Sequence, residues 1–208
     1  RAALQSGFTM IEFDSRLTKD LIPVIIHDST VKRTTDGKGK VSELTFEEIK
    51  KLQLADGGSV PSLEEVFKEF GGKVTLVVEI NNRKIGQENE RIVYELIKKY
   101  DLFDSVIIQS FHPYTVKNMK SFDKRIKTLF IVKEDKLISR LTKKLTGYSC
   151  ADYIAPKYDI VNKESVAEWR DQGFKIIVWT VNNPAELNRL KDLKVDGIMT
   201  DMPDLLIK

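Results

Sequence analysis

Glu12 and Asp14 stand two residues apart in Met10-Ile11-Glu12-Phe13-Asp14. In an extended strand that spacing sends both carboxylates to one face. On the inner face of a parallel barrel they converge at its C-terminal mouth, where such barrels keep their active sites. As the polar end of a strand bonding to loop backbone they would do no chemistry, and two residues alone leave that choice open. Glu79 adds to the first reading, because it closes the apolar run Val74-Thr75-Leu76-Val77-Val78 in the following strand candidate. Three carboxylates brought together must share a cation or protons, since like charges raise one another's pKa. All-oxygen ligation suits a hard divalent cation, Mg2+ or Ca2+, rather than zinc. A structural ion site is the competing use of the same residues.

His27 is one of two histidines and closes Pro23-Val24-Ile25-Ile26 just before Asp28. Its near-neutral intrinsic pKa suits proton transfer to or from a phosphate ester oxygen. A lone strand-end histidine is more often a structural hydrogen-bonder, but here the arm that ends in His27 returns towards Glu12 and Asp14. His112, in Ser110-Phe111-His112-Pro113, reads as a helix-entry residue.

The elements that must position these groups alternate short β-branched or aromatic runs with longer amphipathic segments, the pattern of repeated βα units on a parallel sheet. Strands are expected at 10–14, 75–80, 105–110, 128–132, 153–156, 175–181 and 197–201, and helices at 62–70, 89–100, 113–121, 136–145, 163–172 and 184–193. Ser62 and Glu65 have the spacing of a capping box. The run 22–27 breaks the alternation, because only 15–21 separate it from the strand before, and a parallel crossover needs about a dozen residues. It is therefore expected to return antiparallel through the Thr18-Lys19-Asp20 turn. Seven barrel strands remain where a closed (β/α)8 TIM barrel needs eight. Arg1 to Gly7 reads as the end of a helix stopped by Gly7, so the missing first strand is expected before Arg1. Residues 29–61, polar and carrying Arg33-Thr34-Thr35-Asp36-Gly37, read as a small insertion in a single domain 1–208, with a short helix at 45–52.

Composition narrows the class. Of 208 residues, 34 are Lys or Arg and 31 Asp or Glu, a net charge of +3 that by itself implies no nucleic-acid partner. Cys150 is the sole cysteine, which removes internal disulfides and Cys-based zinc sites and leans towards a reducing compartment. No apolar run approaches the ~20 residues of a transmembrane span.

Taken in order, Ile11-Glu12-Phe13-Asp14, Leu17-Thr18-Lys19-Asp20, Pro23 to Asp28, Arg33 to Gly37, Val60-Pro61-Ser62-Leu63-Glu64-Glu65-Val66, Val78-Glu79-Ile80, Ser110-Phe111, Trp179-Thr180-Val181-Asn182 and Gly197 to Pro203 resemble the glycerophosphodiester phosphodiesterase family along nearly the whole chain. The resemblance implies hydrolysis of glycerophosphodiesters, small-molecule substrates, to glycerol 3-phosphate and an alcohol. It also implies a divalent cation held by Glu12, Asp14 and Glu79, and His27 as one of an acid–base pair of histidines. The partner histidine of such enzymes belongs to a His-Arg-Gly motif, which these residues do not contain. Asn81 stands where many members carry a lysine, so another cation is expected near the phosphate, with Arg33 and Lys157 as candidates. Phe111 and Trp179 are candidates for an apolar wall against the glycerol backbone, or for core packing, and Asp201 for orienting a neighbouring group. Phospholipase C-like and sphingomyelinase D-like phosphodiesterases, and a non-catalytic ligand-binding barrel, are the alternative readings.

Overall fold

The structure, a computed structural model, describes residues 1–81, 88–133 and 150–205. Its strands are β1 (Met10–Leu17), β2 (Pro23–Ile25), β3 (Thr75–Ile80), β4 (Val106–Ser110), β5 (Lys127–Val132), β6 (Tyr153–Pro156), β7 (Lys175–Val178) and β8 (Gly197–Ile198), joined in the order β2-β1-β3-β4-β5-β6-β7-β8. Only β2 runs antiparallel, pairing Ile25, Val24 and Pro23 with Ser15, Arg16 and Leu17. The remaining strands pair in parallel. This is the curled parallel sheet of the (β/α)8 TIM barrel type. Among the described residues no backbone pairing joins β8 to β1, and Met10–Phe13 pair with β3 alone. The ends of the series nevertheless face each other, because the charge of Asp201, just beyond β8, acts on Glu12.

Two apolar layers follow from the period-two alternation of the strands. The inner one gathers Val77, Ile107, Leu129, Ile131, Ala155 and Ile177, with Phe111, Tyr153, Trp179 and Met199 around it. The outer one lies between sheet and helices, as where Leu76, Val78 and Ile80 meet Leu63 and Phe67, and Phe130, Ile154 and Ile176 meet Trp169. The helices are α1 (Ala2–Gln5), α2 (Phe46–Lys50), α3 (Leu63–Phe70), α4 (Glu88–Lys99), α5 (Pro113–Phe122), α6 (Lys163–Asp171) and α7 (Pro184–Asp192). Thr45–Glu48, Ser62–Glu65 and Asn162–Ser165 close capping boxes at the starts of α2, α3 and α6, satisfying backbone N–H groups that have no intrahelical partner. Gly7, at φ +83°, follows α1 in a conformation that glycine reaches without a Cβ penalty.

Several boundaries differ from expectation for identifiable reasons. β1 runs past Asp14 to Leu17 because the hairpin supplies partners for Ser15 to Leu17. The returning arm is regular only over Pro23–Ile25, yet the Ile26 amide still donates to the Asp14 carbonyl at 3.1 Å. The turn is held by side chains: the Ile22 amide donates to Thr18 Oγ1 and Thr18 Oγ1 donates to Asp20. β7 and β8 stop at Val178 and Ile198, short of Val181 and Asp201. Beyond them Asn182 takes over the bonding, accepting from the Asp201 amide and donating to its carboxylate. The helix expected at 136–145 lies outside the described residues. Residues 29–61 fold over an apolar cluster of their own, Val31, Val41, Ile49 and Val60 with Val24 and Ile26 of the arm.

Candidate active site at the barrel mouth

The register across three strands sets the arrangement. Asp14 of β1 lies opposite Glu79 of β3, which lies opposite Gln109 of β4, while Glu12 sits one inward step deeper, opposite Val77. Since Val77 and Ile107 belong to the inner layer, all four polar side chains share that face. Glu79 and Gln109 are 7% and 3% exposed. Glu12 is exposed. Gln109 Nε2 donates to Glu12 Oε1 at 2.8 Å and to Glu79 Oε2 at 3.2 Å, and its Oε1 is buried with no hydrogen-bond partner among the described residues.

Although part of Glu12 stays exposed, the protein packed around its carboxyl, then the charges of Asp14, Glu79 and Asp201, push it up to about 8. Burial and then Asp14 push Glu79 up to about 7. Asp14 is also raised, chiefly by burial, against the opposing pull of His27 and Arg16. Carboxylates that cannot all ionise side by side either share protons or take up a cation. The carboxylate oxygens are hard donors and fit a divalent cation in kind. Among the described residues, however, no three His, Cys, Asp or Glu side chains are gathered closely enough to hold one ion. The carboxylates are neighbours rather than a closed ligand set.

His27 arrives at the same mouth through the hairpin: Arg16 Nε donates to its carbonyl at 2.8 Å, and its charge acts on both Asp14 and Glu79. Its side chain is 72% exposed, with Nδ1 2.8 Å from Asp28 Oδ1. Arg33 grips the same carboxylate with Nε at 2.6 Å and Nη2 at 3.1 Å. Arg33 and His27 together hold Asp28 well below the usual carboxylate range. An ionised carboxylate only accepts, so the bond requires a proton on Nδ1, and in the neutral ring Nε2 is then the free acceptor.

The other sequence candidates divide by location. Phe111 and Trp179 meet edge to face at 5.6 Å between ring centroids in the inner layer, and Trp179 Nε1 donates to the Ala155 carbonyl at 2.7 Å. Both rings remain partly exposed. Arg33 is engaged by Asp28, and Lys157 is ion-paired with Asp159. Lys133, which sequence reading did not single out, lies 4.5 Å from the Phe111 ring centroid. Asn81 follows β3, partly buried. His112 is the N-cap of α5, ahead of Pro113, with no side-chain cap bond.

Sequence reading also missed Gln109, Arg16 and the orienting role of Asp28. Gln109 carried a faint signal as a polar residue directly after Val106-Ile107-Ile108 in the same strand, and Arg16 continues the alternation of Glu12 and Asp14.

Residues 1–205 match the profile of the glycerophosphoryl diester phosphodiesterase family. A glycerophosphodiester phosphodiesterase of Caldanaerobacter subterraneus is 34% identical, the match covering 100% of this chain and 88% of that protein. Among solved structures, the glycerophosphodiester phosphodiesterase of Thermotoga maritima superposes with a TM-score of 0.79 at 25% identity, over 99% of this chain and 87% of that one. A phosphodiesterase of Oleispira antarctica, solved with the product sn-glycerol-3-phosphate, superposes at 0.83 and 23% identity over 99% and 86% of the two chains. With the profile matched over nearly every residue, the chain belongs to the glycerophosphoryl diester phosphodiesterase family of hydrolases.

Proposed function

We propose that this chain hydrolyses glycerophosphodiesters to glycerol 3-phosphate and an alcohol, with a divalent cation at Glu12, Asp14 and Glu79 and with His27 in proton transfer. The observation that carries the reading is the meeting of two opposite needs at one mouth. Crowded carboxylates on one face must share protons or take up a cation, and a histidine oriented by Asp28 presents a free ring nitrogen at the same mouth. The names of the relatives and the glycerol 3-phosphate held by the Oleispira protein agree with it.

In this scheme a Mg2+ or Ca2+ ion would neutralise charge building on a nonbridging phosphate oxygen. His27 moves a proton at Nε2, either from the attacking oxygen or to the leaving alkoxide. Asp28, itself fixed by Arg33, keeps the ring turned and steadies it when charged. The Phe111–Trp179 pair offers an apolar face to the carbon side of the glycerol. Gln109 and Arg16 set the carboxylates and the hairpin.

Product analysis by phosphorus NMR tests this in the full-length protein. Glycerophosphocholine or glycerophosphoethanolamine given with Mg2+ or Ca2+ should yield glycerol 3-phosphate and the free alcohol. Glu12→Ala, Asp14→Ala and Glu79→Ala should each abolish that yield. Cyclic inositol phosphate or ceramide phosphate from the corresponding lipids as the sole product would replace the reading by a phospholipase C-like or sphingomyelinase D-like one. Near-normal release by any of the three variants would remove the metal-site assignment.

A further inference from the structure

Backbone pairing does not by itself hold Glu12 near Glu79, because Glu79 lies opposite Asp14 while Glu12 lies opposite Val77. The link is made by Gln109 from a third strand, whose amide reaches across β3 to β1 and bonds both carboxylates. A glutamine amide nitrogen carries two hydrogens, one for each partner. With both carboxylates ionised, as when they hold a cation, the reverse orientation would set its carbonyl oxygen against carboxylate oxygens, so that state selects the orientation seen. The cost is visible in the same side chain. Among the described residues Oε1 is left buried and unpartnered, which costs stability, at a position flanked in the inner layer by Ile107 and Leu129. An interior glutamine that destabilises the layer around it is accounted for by what it holds.

We propose that Gln109 is a positioning residue of the cation site, a bracket that presents Glu12 and Glu79 together as ligands. This rests on the reading that these carboxylates hold a divalent ion. Its consequence is specific, because removal of the amide separates two ligands without removing either. Groups that orient metal ligands contribute roughly 10- to 100-fold to metal affinity.

The test is calorimetric titration of the full-length protein with Mg2+ or Ca2+ alone, no substrate present, alongside thermal unfolding in chelator. Gln109→Leu should weaken ion binding at least tenfold while its melting temperature in chelator stays level or rises, since the orphaned oxygen has gone. A structural role would give the opposite pair, a lower melting temperature with ion affinity unchanged in the folded protein, and would overturn the proposal. Should the leucine variant not fold, Gln109→Met, with similar reach and no donor, carries the same expectation. Failure of the wild-type protein to bind either ion would overturn the cation reading itself, whereas tight wild-type binding matched by the variants would overturn only the role of Gln109.

Discussion

At the scale of single residues the site is built from groups whose chemistry is set by their neighbours. Asp28 is no ligand in the scheme above, yet its ion pair with Arg33 and its bond to His27 fix which imidazole nitrogen is free. His27→Ala should therefore lower turnover by roughly 10²- to 10⁴-fold, the usual contribution of a positioned acid or base. Asp28→Asn should produce a smaller loss in turnover with substrate affinity little changed, which steady-state kinetics separates. Turnover in Asp28→Asn equal to wild type would contradict the orienting role. That Glu12, Asp14, Glu79 and His27 come to one mouth was legible from type and spacing. Gln109 was not, because its importance depends on a register that sets it opposite Glu79 and on a side chain that reaches across β3 to Glu12. The engagement of Arg33 and Lys157 by Asp28 and Asp159 was equally hidden, since it depends on loop geometry rather than on the strand pattern.

Helix starts were the most readable elements, because capping chemistry is local. Ser62 accepts from the Glu65 amide at 3.1 Å and Glu65 returns the bond to the Ser62 amide at 2.8 Å, as the spacing led one to expect. Ser62→Ala should cost about 1 kcal/mol, seen as a lower urea midpoint with unchanged slope. Trp169 of α6 is 1% exposed in the outer layer, and Trp169→Ala should cost about 3–5 kcal/mol. A midpoint shift for Ser62→Ala as large as that for Trp169→Ala would contradict this ranking. Strand ends were read less well. β7 and β8 give way early to the Asn182–Asp201 bonds, which no alternation pattern encodes.

Over the whole molecule, the curled sheet concentrates acidic side chains at one mouth, and this links stability to pH. Glu79 has an ordinary value of 4.5 and is raised to about 7 in the fold; Glu12 is raised to about 8. A carboxylate with a raised native pKa binds its proton more tightly folded than unfolded, so its stabilising effect is complete below 4.5 and is lost as pH rises through the native value. In chelator, stability should therefore fall between pH 5 and 8, by on the order of 3 kcal/mol for Glu79 and by less than its shift suggests for the solvent-open Glu12. Thermal unfolding across that range checks it, and a melting temperature that climbs from pH 5 to 8 in chelator would be the contrary outcome. The parallel sheet, the antiparallel arm and the family were all legible from the alternation and the ordered motifs. How closely the carboxylates approach one another was not, because that is fixed by the curl of the sheet and by Gln109 rather than by any segment alone.

Phosphodiester cleavage is proposed to depend on a divalent ion taken up by the carboxylates at this mouth. The direct measurement is glycerol 3-phosphate release by the chelator-treated full-length protein as Mg2+ or Ca2+ is restored, for wild type and for Glu79→Gln. The account predicts no release without ion, saturable recovery in the wild type, and little or none in the variant at any ion concentration. Undiminished release in chelator, or full recovery by Glu79→Gln at the wild-type ion concentration, would contradict it.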